Sequence, residues 1–141
     1  MSAVSNLPIF PQNMQAFVLQ LTNAIGTTVT TVVTGGANGT LIESLNVSST
    51  DATLAHTFQV YLSNGTTAFL LGSVNVPISA GNVAGTPAVD FLRSGAAPGL
   101  PVDVDGNFVI YVPSGFTLQV SVTVAVTTAD FVEIVALGVN Y

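Results

Sequence analysis

The sequence predicts an all-β protein: a single-domain β-sandwich of jelly-roll or related Greek-key form, with about eight strands. Three observations lead there. Runs of β-branched and aromatic residues alternate apolar and polar positions with a period of two, as strands with two unlike faces do. Clusters of Gly, Pro, Asn and Asp separate these runs at short intervals. Finally, 49% of the 141 residues are hydrophobic, enough to build a core without disulfides in a chain that has no cysteine.

Residues 1–26 read as an N-terminal arm or first short element, and 27–141 as the sandwich domain. In the arm, NLPIFPQN sets Ile9 and Phe10 between Pro8 and Pro11, which fix φ and bias the residues before them toward extended backbone. These four residues are the candidate interface, either lying on their own domain or docking on a neighbouring chain. The next run, MQAFVLQL (14–21), has an apolar spacing that fits a short strand or a helical turn. Strands are then expected at 27–34, 40–48, 56–63, 66–77, 88–92, 107–112, 117–128 and 131–139. Asn64-Gly65 suggests a type I′ hairpin turn between two of them. The Gly- and Pro-rich stretches 80–88 and 93–106 read as the long connections.

Among these runs, TLQVSVTVAVTT (117–128) is the most regular. Leu118, Val120, Val122, Val124 and Val126 form one face, expected to be core. Gln119, Ser121, Thr123 and Ala125 form the other, which carries neither charge nor large hydrophobe and suits close contact with another sheet or a sister subunit.

Charge is scarce. Charged residues make up 6% of the chain, and one Arg against seven acids gives a net charge of −6. A typical domain carries roughly 25%. With so few cations the chain cannot neutralise phosphates, so neither nucleic acid nor an anionic membrane is an expected partner. No stretch approaches a membrane span, and MSAVSNLPIF lacks the basic start and apolar run of a signal peptide, so the expectation is a soluble chain made inside the cell.

No motif predicts catalysis or a cofactor. His56 is the one histidine and no nucleophile elbow accompanies it, so it reads as a surface or hydrogen-bonded residue and not a general base. Glu43, Asp51, Asp90, Asp130 and Glu133 are scattered singly. Asp103, Asp105 and Asn107 superficially resemble the front of a calcium loop, but Gly106 and Ser114 stand at the wrong positions for one, and a turn with an Asp-Gly corner is the simpler reading. GGANG (35–39) lacks the Lys and helix of a phosphate cradle. Asn38, Asn46 and Asn64 begin glycosylation-type triplets, which mean little without a signal peptide. Sugar binding would call for exposed aromatic platforms, and Tyr61, Tyr111 and Phe108 are expected to be packed within strands.

The succession TTVVTGGANGTLIESLNVSSTD, VYLSNGTTAFLLGSVNVPISAGN and VDFLRSGAAPGLPVDVDGNFVIYVPSGFTLQVSVTVAV, closing on VNY, resembles the capsid decoration, or cement, proteins of tailed bacteriophages. The resemblance covers the chain from about Thr27 onward and rests on strand-and-turn motifs. It implies a non-enzymatic virion protein, made in the host cytoplasm and placed on the capsid surface. There a homotrimer or homodimer would bridge major capsid protein subunits and stabilise the shell. A head-fibre or tail-fibre module that binds a receptor or glycan is the alternative. The family brings no set of functional residues.

Overall fold

In the computed structural model, which describes residue 11 and residues 13–141, nine strands form two antiparallel sheets packed face to face. They are β1 (Asn13–Leu21), β2 (Thr30–Thr34), β3 (Thr40–Ser49), β4 (His56–Ser63), β5 (Ala68–Val76), β6 (Val89–Asp90), β7 (Ile110–Val112), β8 (Thr117–Val122) and β9 (Val132–Asn140). One sheet runs β1-β9-β3, with β6 and β7 both pairing the far edge of β3; the other runs β2-β8-β4-β5. Apart from the β4–β5 hairpin and the β6–β7 connection, each connection between successive strands crosses from one sheet to the other. This is the all-β sandwich that the alternating runs predict.

Period-two alternation built this core. Inward positions of the first sheet supply Leu21, Ile42, Leu45, Val47, Ile110, Val132, Ile134 and Ala136, and those of the second supply Val33, Phe58, Val60, Val76, Leu118, Val120 and Val122, all buried. Each large aliphatic residue so placed contributes about 1.5–3 kcal/mol.

Several expectations need adjustment. The 14–21 run, left open between a short strand and a helical turn, lies within the nine-residue strand β1, which pairs with β9 along its whole length. The stretch 117–128 stops being strand at Val122, whose partner Phe58 lies near the start of β4; past that point β4 offers little to pair with. The chain then crosses to the other sheet, held by Thr123 N–H donating to the Thr57 carbonyl (3.2 Å) and by the Asn23 amide donating to the Val126 carbonyl (2.7 Å). Val126 is buried, but Val124 is 55% exposed, so the expected core face is interrupted there.

The run 88–92 shortens to β6 because Phe91 and Leu92 turn into the core. Asn64 lacks positive φ, so the β4–β5 turn is not type I′: the loop 64–67 is built on the Asn64 carboxamide oxygen, which accepts from the N–H groups of Thr66 (3.0 Å) and Thr67 (2.8 Å), with Gly65 alone at positive φ.

Candidate contact surface

The outer faces of the two sheets differ, and the sequence determines how. On the β2-β8-β4-β5 sheet, outward polar side chains of β2, β8 and β4 hydrogen-bond with one another, while Phe69 (57%) and Leu70 (53%) of β5 are exposed. Gln119 donates to Thr31 (3.2 Å), the Tyr61 hydroxyl donates to Gln59 (2.9 Å), and Ser121 reaches the Tyr61 hydroxyl at 3.5 Å. Ser121 is only 3% exposed. The polar face of β8 is therefore partly covered by neighbours of its own sheet.

The β1-β9-β3 sheet is different. Register sets its outward residues in rows. Met14, Val139, Leu41 and Tyr111 share the first; Ala16, Leu137 and Ser44 the second; Val18, Val135 and Asn46 the third; Gln20, Glu133 and Ser48 the fourth. Met14 (82%), Val18 (72%), Leu137 (46%) and Tyr111 (46%) are exposed, an apolar patch spanning four strands; Glu133 lies at its far end, Glu43 is exposed at the bulge of β3, and Asp90 of β6 is the register partner of Asn46 in the third row. The largest patch on an ordinary monomer, roughly 300–600 Å², is often functional. β1 is also an edge strand, nine residues long and free of charge and proline, without the features that usually discourage edge pairing.

Two shallow clefts lie on this side. One, of about 320 Å³, runs along β1 and β9 between Val18, Gln20, Glu133 and Val135. The other, of about 340 Å³, is lined by Asn38, Leu41, Tyr111 and Tyr141. Of its two tyrosines, Tyr111 is fixed in place. The Tyr111 hydroxyl donates to the Asn38 carbonyl (3.2 Å), and the ring lies so close to Gly39 that a Cβ there would collide with it. Gly39 also holds positive φ, so GGANG is a turn shaped to seat that ring. Tyr111 thus stands as an exposed aromatic, contrary to the expectation that it is packed: its strand is at the sheet margin, and its position faces outward.

The carboxylates expected to be scattered singly include one that meets the single histidine in the interior. Asp51 and His56 are both fully buried and meet at 3.0 Å through Oδ2 and Nε2. Burial opposes a charge on Asp51. The N–H groups of Thr127, Leu54 and Thr53 and the His56 ring outweigh it and hold the carboxyl well below the usual range. An ionised carboxylate only accepts, so His56 donates from Nε2, and Nδ1 is left without a partner among the described residues. His56 is therefore hydrogen-bonded as expected, but in the interior and not on the surface. Little in the sequence flags this pair beyond the Asx-turn pattern of Asp51 and Thr53.

Elsewhere, Asp90 pairs with Arg93, Thr50 donates to Asp130 (3.2 Å), and Glu43 is exposed at a bulge in β3. Asp103 accepts from the N–H groups of Asn107 and Asp105, both at 2.9 Å, and is held below its usual value chiefly by the Asn107 bond; it caps a turn. No cluster of three or more metal-ligating acids, His or Cys occurs among the described residues. Pro11 is exposed. Pro8, Ile9 and Phe10 lie outside the described residues.

No family model matches the chain, and no curated protein matches it. Two solved structures are similar in part, both crystal structures of a pentameric capsid protein isolated from metagenomic phage sequences. One, at 18% identity, has a TM-score of 0.40 over 89% of this chain and 61% of its own; the other, solved by iodide phasing, has 17%, 0.38, 89% and 63%. The chain spans less than two thirds of the length of either. Likeness at this level carries nothing about function.

Proposed function

We propose that this protein is a structural, non-enzymatic component of a tailed-phage virion, decorating and cementing the outer capsid surface by binding major capsid subunits as a small homo-oligomer. The observation that carries the reading is the apolar outer face of the β1-β9-β3 sheet, bordered by an uncharged edge strand in a chain of net charge −6. Such a face suits a partner that covers it permanently. Buried apolar area is worth roughly 25 cal/mol per Å², so a modest contact repeated over a shell reinforces it without chemistry. We read the strand order as a jelly roll, an architecture found in viral capsid and lectin domains, although fold alone does not fix function. The resemblance to decoration proteins points the same way. Pro8, Ile9, Phe10 and Pro11 form the contact arm in this reading.

The test is to add purified protein to expanded shells that lack it, then measure co-sedimentation and image the particles. Saturable occupancy at regular lattice positions is expected. Absence from shells, with attachment to tails or fibres, would overturn the assignment. The half-exposed Tyr111 beside Tyr141 favours the receptor- or glycan-binding module as second reading.

A further inference from the structure

The two sheets present four edges, and among the described residues three of them are blunted. In the second sheet, β2 is five residues long with a bulge at Val32, and β5 bulges at Leu71, next to Gly72. The far edge of β3 carries β6 and β7, only two and three residues long. β1 is the exception. Its nine residues keep unbroken register with β9, and it has neither a charge nor a proline to discourage a further strand.

Both faces of β1 are apolar. Met14, Ala16 and Val18 point outward and are exposed, whereas Phe17 and Leu19 point inward against the core yet stay only half-buried, since no described strand lies beyond them. A partner that completes this edge must be an uncharged strand of similar length with apolar side chains on both faces. The β1 strand of a second copy meets each requirement. We propose that two copies pair antiparallel along β1, about a two-fold axis normal to the sheet, joining their first sheets into one. Phe17 and Leu19 of each copy then cover those of the other on the inner side, while Met14, Ala16 and Val18 carry the apolar rows across the junction. Charge agrees with this choice. The seven acids and the single Arg all lie off β1, so two molecules of net charge −6 meet along a strand that carries none. Because the other edges are blunted, pairing closes at two copies and does not run on into a fibre.

A nine-residue antiparallel pair forms about nine main-chain hydrogen bonds, close to the roughly ten of a typical specific interface. Its strip is about 31 Å long at about 3.4 Å per residue and about 10–15 Å wide, or roughly 300–450 Å² per copy. A standard interface buries about 800 Å² per partner, so the dimer belongs to the weak class, with Kd in the micromolar range. This pairing gives the homo-oligomer of the proposed function its geometry and rests on that reading, but not on the identity of the capsid partner.

The test uses the full chain. Sedimentation equilibrium from about 10 µM to about 1 mM is expected to show a monomer–dimer equilibrium, with amide exchange at alternate residues of β1 slowing as dimer forms. Full overlap of the two strands centres on Phe17, which sets Ala16 diagonally across from the sister's Ala16. Ala16 is exposed, so Ala16→Lys and Ala16→Glu should each fold normally and dimerise several-fold more weakly, and a mixture of the two should recover dimers with one copy of each. A chain that stays monomeric throughout, or variants that associate as the unmodified chain does, would overturn the proposal. So would a dimer whose β1 amides exchange as fast as the monomer's, the result of packing face to face. If deleting residues 2–12 turns a monomer into a dimer, the chain's own arm occupies the edge, and pairing of full-length copies is again overturned. Dimers that form as expected but never attach to shells leave this contact standing and remove the cementing role; attachment of a chain that stays monomeric does the reverse.

Discussion

The imidazole Nε2 of His56 donates to Oδ2 of Asp51 across 3.0 Å, and neither side chain is exposed. Oδ1 of the same carboxylate accepts from Thr53 and Leu54 at 2.9 Å, and Oδ2 also accepts from Thr127 at 3.0 Å. One side chain therefore ties the β3–β4 loop to the crossing between β8 and β9, at one end of the sandwich.

This arrangement sets a pH dependence. The folded pKa of Asp51 lies below its unfolded value, about 3.9, so the stability it contributes is fully present above that value and is lost as pH falls through it toward the lower folded one. Denaturant midpoints measured from pH 7 to pH 2 should hold to about pH 4 and then fall. Asp51→Asn should cost about 2 kcal/mol at pH 7 and flatten the acid limb. An equally steep limb in the variant would show that other acids govern it.

Gly138 on β9 faces Ile42 at the point where β3 bulges, and a Cβ there would overlap the Leu41 carbonyl. Gly138→Ala forces backbone apart in the centre of the sheet, so unfolding experiments should show a loss of about 1–3 kcal/mol.

Lysine substitutions distinguish covered from open positions on β8 and just beyond it. Thr123→Lys, at an exposed site, should change stability by less than about 0.5 kcal/mol. Ser121→Lys must displace the packing around Tyr61 and should cost about 1–2 kcal/mol. Equal melting temperatures would mean that both positions are open.

The apolar outer face of the first sheet makes the opposite kind of prediction. Val18→Lys and Leu137→Lys alter side chains that the isolated subunit leaves exposed, so folding stability should move by less than about 0.5 kcal/mol, while occupancy on shells falls several-fold. Unchanged occupancy would place the contact elsewhere on the molecule.

Trypsin has one possible site, after Arg93. That side chain is exposed in the turn after β6, so limited digestion should give a single nick; complete resistance would show that the turn is closed to the protease.

Much of the sandwich was legible because period-two alternation is a local signal: Leu118, Val120 and Val122 announce their face whatever they pair with. What alternation cannot convey is where a partner strand ends. β8 stops at Val122 because β4 starts at His56, and no feature of residues 123–128 says so. β1 was ambiguous for a related reason, since its strand character is established by β9, more than a hundred residues later. Of the candidate surface, the sequence indicated a shortage of charge but assigned the unusual face to β8. Tyr61 fills part of that face, and the apolar rows of β1, β9 and β3 come together only through register. Tyr111 was misjudged because facing outward at a sheet margin is a property of topology.

Arg93 is held by Asp90, three residues away, so the chain's single cationic side chain is occupied within one turn. Every other formally charged side chain, apart from His56 if protonated, is an acid. Each copy added to an array of these molecules brings negative charge with no cation free to offset it, so crowded neighbours repel over roughly a Debye length, about 10 Å at 0.1 M salt. Added salt relieves that repulsion without weakening apolar contact, so packing of copies should tighten as ionic strength rises, the reverse of a protein held by ion pairs.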